Sequence, residues 1–198
     1  VVIIYVNNMN KLILLVGLLT SVLAFASPEI GKEIPDFTGI TVDGKSVKLS
    51  EFKGKIVVIE WYNPTCPFVK KFYSVGKMQE YQTQVTSAGH IWITINTGGK
   101  VPDLQAALKN DKNKASVVID DADGTIAKIF DAKTTPHCFV INRDGVLVYK
   151  GAIDSIASTK SSDIDKATNY VLAAVAATQD NKKIEVNSTK SYGCGVKY

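Results

Sequence analysis

The sequence predicts an α/β fold, a mixed central sheet with helices on both faces. Two observations predict it. The patterns run β-hairpin, βαβ with helical insertions, antiparallel hairpin, helix, an order that layers helices against a sheet with both parallel and antiparallel neighbours. The longest apolar run, Ile56-Val57-Val58-Ile59-Glu60-Trp61-Tyr62, breaks at Asn63-Pro64 and gives way to a helical pattern opening with Cys66-Pro67. That is the strand-loop-helix junction at which open α/β sheets place their sites.

Residues 37–42 and 45–49 flank Asp43-Gly44, a pair suited to a type I′ turn, and residues 50–55 make a short polar turn or helical piece before the central strand. Residues 67–87 read as one helix, with Phe68, Phe72, Val75, Met78, Tyr81 and Val85 near a 3.6-residue period; Gly76 weakens it and Gly89 stops it. Residues 90–96 are a second buried-type strand, 101–110 a short helix and 116–120 a further strand. The Asp123 carboxylate is placed to cap a helix over 124–130. Residues 138–142 and 146–150 form a hairpin around Asp144-Gly145, and the alanine-rich stretch 163–177 reads as the closing helix.

A cysteine where a helix begins is a potential reagent. Unpaired N–H groups and the positive end of the helix dipole stabilise a thiolate, and such sites lower a cysteine pKa from about 8.5 to roughly 3.5–7.5. Pro67 suits the first helical position, and Lys70, four residues after Cys66, projects to its side and with Lys71 makes the local field positive. The plain alternative for Cys66 is a buried small hydrophobe, which its place beyond the strand argues against. Glu60, among Val, Ile and Trp, is costly to bury unless protonated, paired or employed. Burial would raise its pKa toward neutrality; the competing reading pairs it with Lys55 or another lysine at the sheet edge. Cys138 opens an apolar strand and reads as an inert buried thiol. His137 reads as structural, since one histidine with one cysteine is a thin metal site. Cys194 lies in Tyr192-Gly193-Cys194-Gly195, a tail able to approach another site or to pack on the sheet; bonding to Cys66 would require Cα atoms within about 7 Å.

Lys and Arg number 23 against 19 Asp and Glu, a formal charge of +4 scattered along the chain, which gives no argument for nucleic acid. Three widely spaced cysteines make no disulfide framework. Residues 1–26 read as a signal peptide: Met9-Asn10-Lys11 is a positive start, residues 12–25 are apolar, and Ala24-Phe25-Ala26 offers small residues for cleavage after Ala26. The apolar segment is short for a membrane span, which needs roughly 20 residues. Residues 1–8 precede Met9 and suggest a mis-set start; if real, they make an anchor more plausible. Residues 27–198, without repeats or low-complexity linkers, then form one domain, periplasmic or secreted, in a compartment that permits disulfides.

Several separated motifs carry a family resemblance. They are Pro35-Asp36-Phe37 with the Asp43-Gly44 hairpin, Glu60-Trp61-Tyr62-Asn63-Pro64-Thr65-Cys66-Pro67-Phe68-Val69, Thr135-Pro136, Asn142-Arg143-Asp144-Gly145, Tyr149-Lys150-Gly151-Ala152-Ile153-Asp154, and Gly193-Cys194-Gly195-Val196-Lys197-Tyr198. Over residues 30–198 the chain resembles the thioredoxin-fold redoxins of the alkyl hydroperoxide reductase/thiol-specific antioxidant superfamily, in a peroxiredoxin-like branch with a single active-site cysteine. The resemblance implies a thioredoxin-like three-layer fold with Cys66 reactive. The second slot of the Cys-x-x-Cys motif holds Val69, and the Pro-x-x-x-Thr-x-x-Cys peroxide motif is absent, Thr65 standing one residue before Cys66 and Pro64 two. It further implies Glu60 as a proton-relaying buried acid and Pro136 as a cis proline that leaves the Thr135 backbone exposed to pair with an extended disulfide partner; with Val69 in the second slot a resolving thiol must come from elsewhere, and Cys194 is the candidate, the alternative being a tail packed on the sheet. Pro64, Thr65, Thr135 and Pro136 are the substrate-binding set; no cofactor and no metal is implied.

The implied function is an exported thiol-disulfide oxidoreductase or antioxidant protein acting through the Cys66 thiolate on protein or small-molecule disulfides, thiols or peroxides, with neither nucleic acid nor stable membrane insertion involved. The alternatives are a peroxiredoxin-type peroxide reductase and a non-enzymatic periplasmic metal carrier using Cys66, His137 and Cys194. N-terminal sequencing of the exported protein is expected to begin at Ser27; an intact Val1 or Met9 contradicts the cleavage.

Overall fold

The computed structural model describes residues 27–99 and 101–198; the signal peptide expected over 1–26 lies outside them. The central sheet has five strands: β3 (Val57–Trp61), β4 (Ile91–Thr97), β5 (Val117–Asp121), β7 (Cys138–Ile141) and β8 (Leu147–Gly151), in the spatial order β5-β4-β3-β7-β8. Pairing is parallel from β3 through β4 to β5 and antiparallel from β3 through β7 to β8. The expected mixed sheet is therefore present. The hairpin around Asp43-Gly44, β1 (Thr38–Ile40) and β2 (Ser46–Lys48), stands as a separate two-stranded sheet. Two residues each from β6 (Thr134–Thr135) and β9 (Cys194–Gly195) form a third.

Every residue of β3 is buried, because layers cover the sheet on both sides, and this is why its sequence lacks polar alternation. Ile56, Val58, Trp92, Val140 and Tyr149 pack under α1 (Pro67–Tyr73), α2 (Lys77–Ser87) and α5 (Tyr170–Gln179), with Phe72, Met78, Val85 and Val171 from the helices. On the other side Val57, Ile59, Trp61, Ile93 and Phe139 meet Ile126 and Phe130 of α4 (Thr125–Phe130) and Phe37 and Val47 of the first hairpin. The short α3 (Leu104–Asn110) adds Leu104 and Leu108 to the first layer, starting three residues later than expected because Asp103 caps it, accepting from Ala106 N at 2.8 Å.

Two helix predictions are corrected. The single helix over 67–87 is two, α1 and α2, because Gly76 takes a left-handed conformation (φ +80°) at which a helix cannot continue. The closing helix does not run from 163: residues Ser161–Lys166 form a 3-10 turn, the chain extends at Ala167, and Asn169 starts α5 by accepting from Leu172 N at 2.9 Å. Asp123 accepts from Thr125 N at 2.9 Å at the start of α4, as expected, and Asp121 shares the capping, its two oxygens taking Ile126 N and Ala127 N at 2.9 and 3.0 Å. No helix of the described residues is long and apolar enough to cross a membrane.

Candidate active site

The loop after β3 is shaped by Asn63. Its Oδ1 accepts from Thr65 N at 2.9 Å and Thr65 Oγ1 at 2.8 Å, and its carbonyl accepts from Cys66 N at 3.1 Å. This Asx turn reverses the chain without leaving backbone donors unpaired. Pro64 is half-buried and Thr65 exposed beside the thiol. Cys66 is the N-cap of α1, extended (φ −73°, ψ 122°), with Pro67 in the first turn as expected, and its side chain is 1% exposed.

Across from it the Thr135–Pro136 peptide is cis. The expectation that the Thr135 backbone stands exposed is corrected: Thr135 is 4% exposed and pairs in β6 with Cys194 of β9, while Thr134 pairs with Gly195. The protein's own tail thus occupies that edge. Cys66 Sγ lies 2.9 Å from Thr135 O, to which the protonated thiol donates. Burial pushes the Cys66 pKa up. The Cys194 thiol, Thr135 and the N–H groups of Cys194 and Val69 pull it down by more, leaving it below the ordinary cysteine value. Burial and the hydrogen bond to Cys66 push Cys194 the other way, up to about 11. A thiol poised to ionise therefore sits against one poised to stay protonated.

The expected contribution of Lys70 and Lys71 is corrected too. Lys70 is exposed, and Lys71 is buried in an ion pair with Asp154 at 3.3 Å, donating also to Ile156 O at 3.1 Å. The leading stabilisers of the thiolate are hydrogen bonds. The buried pair instead holds the tail: Tyr192 donates its phenol to Asp154 Oδ1, lies 3.3 Å from Lys71 Nζ, and packs its ring on Phe68 with centroids 5.7 Å apart. Removing one member of such a pair strands the other charge and typically costs 3–5 kcal/mol. Asn63, Asp154 and Tyr192 are site residues that the sequence does not single out, and Lys71 takes a role other than the expected one; the Tyr149-to-Asp154 motif is the available signal for Asp154.

Glu60 is fully buried and receives hydrogen bonds from Tyr73 Oη at 3.1 Å, Trp92 Nε1 at 3.0 Å, Gln82 Nε2 at 3.4 Å and Thr94 Oγ1 at 3.4 Å. No salt bridge reaches it among the described residues, so the reading that paired it with Lys55 is not met. Burial raises its pKa to about 7 against those bonds. Its partners do not include Cys66: the structure joins Cys66, Thr135 and Cys194 and leaves Glu60 beside Cys138, its neighbour in register on β7. Burial holds the Cys138 thiol well above the usual range. His137 is buried against Phe139 (centroids 4.4 Å apart), accepts from Lys133 N at 3.2 Å, and has its pKa lowered to about 4 by burial. Among the described residues no three His, Cys, Asp or Glu side chains gather as a metal site, so Cys66, His137 and Cys194 do not form a ligand set.

A cleft of about 210 Å³ adjoins the site, lined by Tyr62, Asn63 and Thr65 ahead of Cys66 and by Gly195, Val196 and Lys197 beyond Cys194; neither cysteine lines it. Thr135 forms part of its lining.

The profile of the AhpC/TSA family matches residues 30–150. Among curated proteins, the thiol-disulfide oxidoreductase ResA of Bacillus thuringiensis subsp. konkukian is 27% identical over 127 residues, covering 61% of this chain and 68% of that protein. ResA of Bacillus subtilis is 27% identical over 120 residues, covering 60% and 64%. Among solved structures, a hypothetical protein from Sinorhizobium meliloti 1021 superposes with TM-score 0.72 at 22% identity, covering 87% of this chain and 96% of that one. The thioredoxin domain of a thiol-disulfide oxidoreductase from Bacteroides vulgatus gives 0.55 at 21%, covering 71% and 98%. The fold is thioredoxin-like.

The Glu60 network makes stability depend on pH. Between the usual carboxyl value of 4.5 and about 7 the folded chain holds a proton that the unfolded chain has released, so raising pH through this window destabilises the fold. Relative to wild type, Glu60→Gln should gain on the order of 3 kcal/mol between pH 4.5 and 8. Denaturant titrations of both proteins at several pH values check this; a difference independent of pH contradicts it.

Proposed function

The chain belongs to the AhpC/TSA family and is an oxidoreductase, and on that footing we propose that it exchanges thiols and disulfides, with Cys66 as nucleophile and Cys194 as resolving thiol. The observation that carries the reading is the β6–β9 pairing, which sets Cys194 in register with Thr135, the residue whose carbonyl lies 2.9 Å from Cys66 Sγ. The Cys66 thiolate attacks one sulfur of a disulfide, forming a mixed disulfide and expelling a thiolate. Forming that bond removes the negative charge that holds the Cys194 proton, and Lys197 further favours ionisation there. Cys194 then loses its proton and attacks Cys66 Sγ, expelling the second thiolate. The substrate has gained two electrons, and the protein has lost them in a Cys66–Cys194 disulfide that an external dithiol must reduce. A single active-site cysteine leaves Cys194 without a part, so its placement supports two.

Peroxide reduction would use the same pair: Cys66 attacks one oxygen, the O–O bond breaks, and Cys194 displaces hydroxide from the resulting sulfenic acid. The small cleft adjoining the site is the observation that favours keeping this second reading. Proton relay by Glu60 rests on less, a buried carboxyl that titrates at about 7 without touching Cys66. The export segment read from residues 1–26 supplies the oxidising compartment this chemistry suits.

Disulfide mapping by mass spectrometry, after one equivalent of hydroxyethyl disulfide is added to the reduced protein, tests the assignment. The wild type should yield a Cys66–Cys194 bond, Cys194→Ser should stop at a mixed disulfide on Cys66, and Cys66→Ser should stay unmodified at Cys194. A Cys66 that remains reduced, or a bond to Cys138, would falsify it.

A further inference from the structure

We propose that the docked C-terminal strand is also a selectivity device: it fills the backbone edge beside Cys66 on which an extended polypeptide could pair, and so favours small disulfides over polypeptide ones. This rests on the thiol–disulfide reading above.

An unpaired strand edge is a template for an incoming extended chain, whose main-chain hydrogen bonds supply affinity. The edge nearest the nucleophile is β6, and its partners are already Cys194 and Gly195 of the same molecule. Docking is built in along the whole tail. Thr189 Oγ1 accepts from Ala152 N at 2.9 Å, Tyr192 is held by Asp154, Val196 N donates to Lys133 O at 3.0 Å, and Tyr198 Oη donates to Ala132 O at 2.7 Å. Three glycines receive it. A Cβ would collide with Thr189 at Gly151, with the Thr135 carbonyl at Gly193, and with the Lys197 carbonyl at Gly98, and all three have positive φ. Anchors spread from 189 to 198 distinguish this segment from a fraying terminus.

Next to the filled edge lies the cleft lined by Asn63, Thr65 and Thr135 and by Gly195, Val196 and Lys197 of the tail. At about 210 Å³ it falls below the 300–1,000 Å³ of sites that hold drug-sized ligands, so it suits a disulfide of a few heavy atoms and not a folded or extended chain. A polypeptide disulfide would reach Cys66 only after β9 leaves β6.

The test compares two disulfides with the same leaving thiol, hydroxyethyl disulfide and a linear peptide whose central cysteine is capped with mercaptoethanol. The Cys194→Ser protein keeps the β9 backbone and traps the mixed disulfide on Cys66, so intact mass reports the first step alone. The readout is the ratio of peptide rate to small-disulfide rate, which cancels any change in Cys66 nucleophilicity common to both. Adding Gly193→Val, whose side chain collides with Thr135, should raise the ratio about tenfold or more. Tyr192→Phe, which keeps the ring on Phe68 and loses the bond to Asp154, should raise it less and keeps the test open should the valine variant fail to fold. A ratio unchanged in the folded variants overturns the selectivity proposal while leaving the redox reading intact. If Cys66 reacts with neither disulfide in any variant, the redox reading itself falls, and this proposal with it.

Discussion

The short antiparallel pairing of β6 with β9 is the constraint on which the rest of the site depends. It spans two residues on each side, yet it closes the Thr135 edge and brings Cys194 close enough to lower the pKa of Cys66. Two isolated peptide hydrogen bonds are worth only about 1 kcal/mol each. The strand therefore depends on anchors outside itself, chiefly the buried Lys71–Asp154 pair with Tyr192 and the glycines that let the tail approach closely. An ion pair that touches neither thiol is in this way coupled to the geometry of both.

The cysteines divide the work by their surroundings. Cys138 sits in the sheet with nothing to stabilise a charge and is held protonated, whereas Cys66 gains more from its donors than burial costs it. Cys194 is kept protonated by burial first and by the neighbouring Cys66 second, and the second restraint ends when Cys66 is consumed. The order of the two steps follows from that asymmetry. Glu60 is satisfied separately: four donors hold it inside the helical face, and its register neighbours on the flanking strands are Thr94 and the inert Cys138.

Local chemistry was legible in the sequence wherever one residue decided the outcome. The apolar run ending at Asn63-Pro64, the proline after Cys66, the Asp-Gly hairpins and the stop at Gly89 each reappear in the structure. Helix continuity was not legible, because the apolar period runs unbroken through Gly76 while the backbone does not, and because Asn169, a cap, sits inside an alanine-rich stretch that favours helix on composition. The site was half legible. Cys66 and Cys194 were identifiable as chemistry, but their contact depends on a pairing across 59 residues of sequence, and so does the closed Thr135 edge. Lys71 looked like a surface charge near the thiol; only the fold shows Asp154 and Tyr192 arriving to bury it.

The account turns on Cys194, held in register with Thr135, lowering the pKa of Cys66. The most direct measurement is the rate of Cys66 alkylation as a function of pH, followed by intact mass, in the wild type and in Cys194→Ala. The account predicts a wild-type midpoint below that of an ordinary cysteine and a clear upward shift in the variant, since the Cys194 thiol is lost while the backbone pairing remains. Identical midpoints in the two proteins would contradict it.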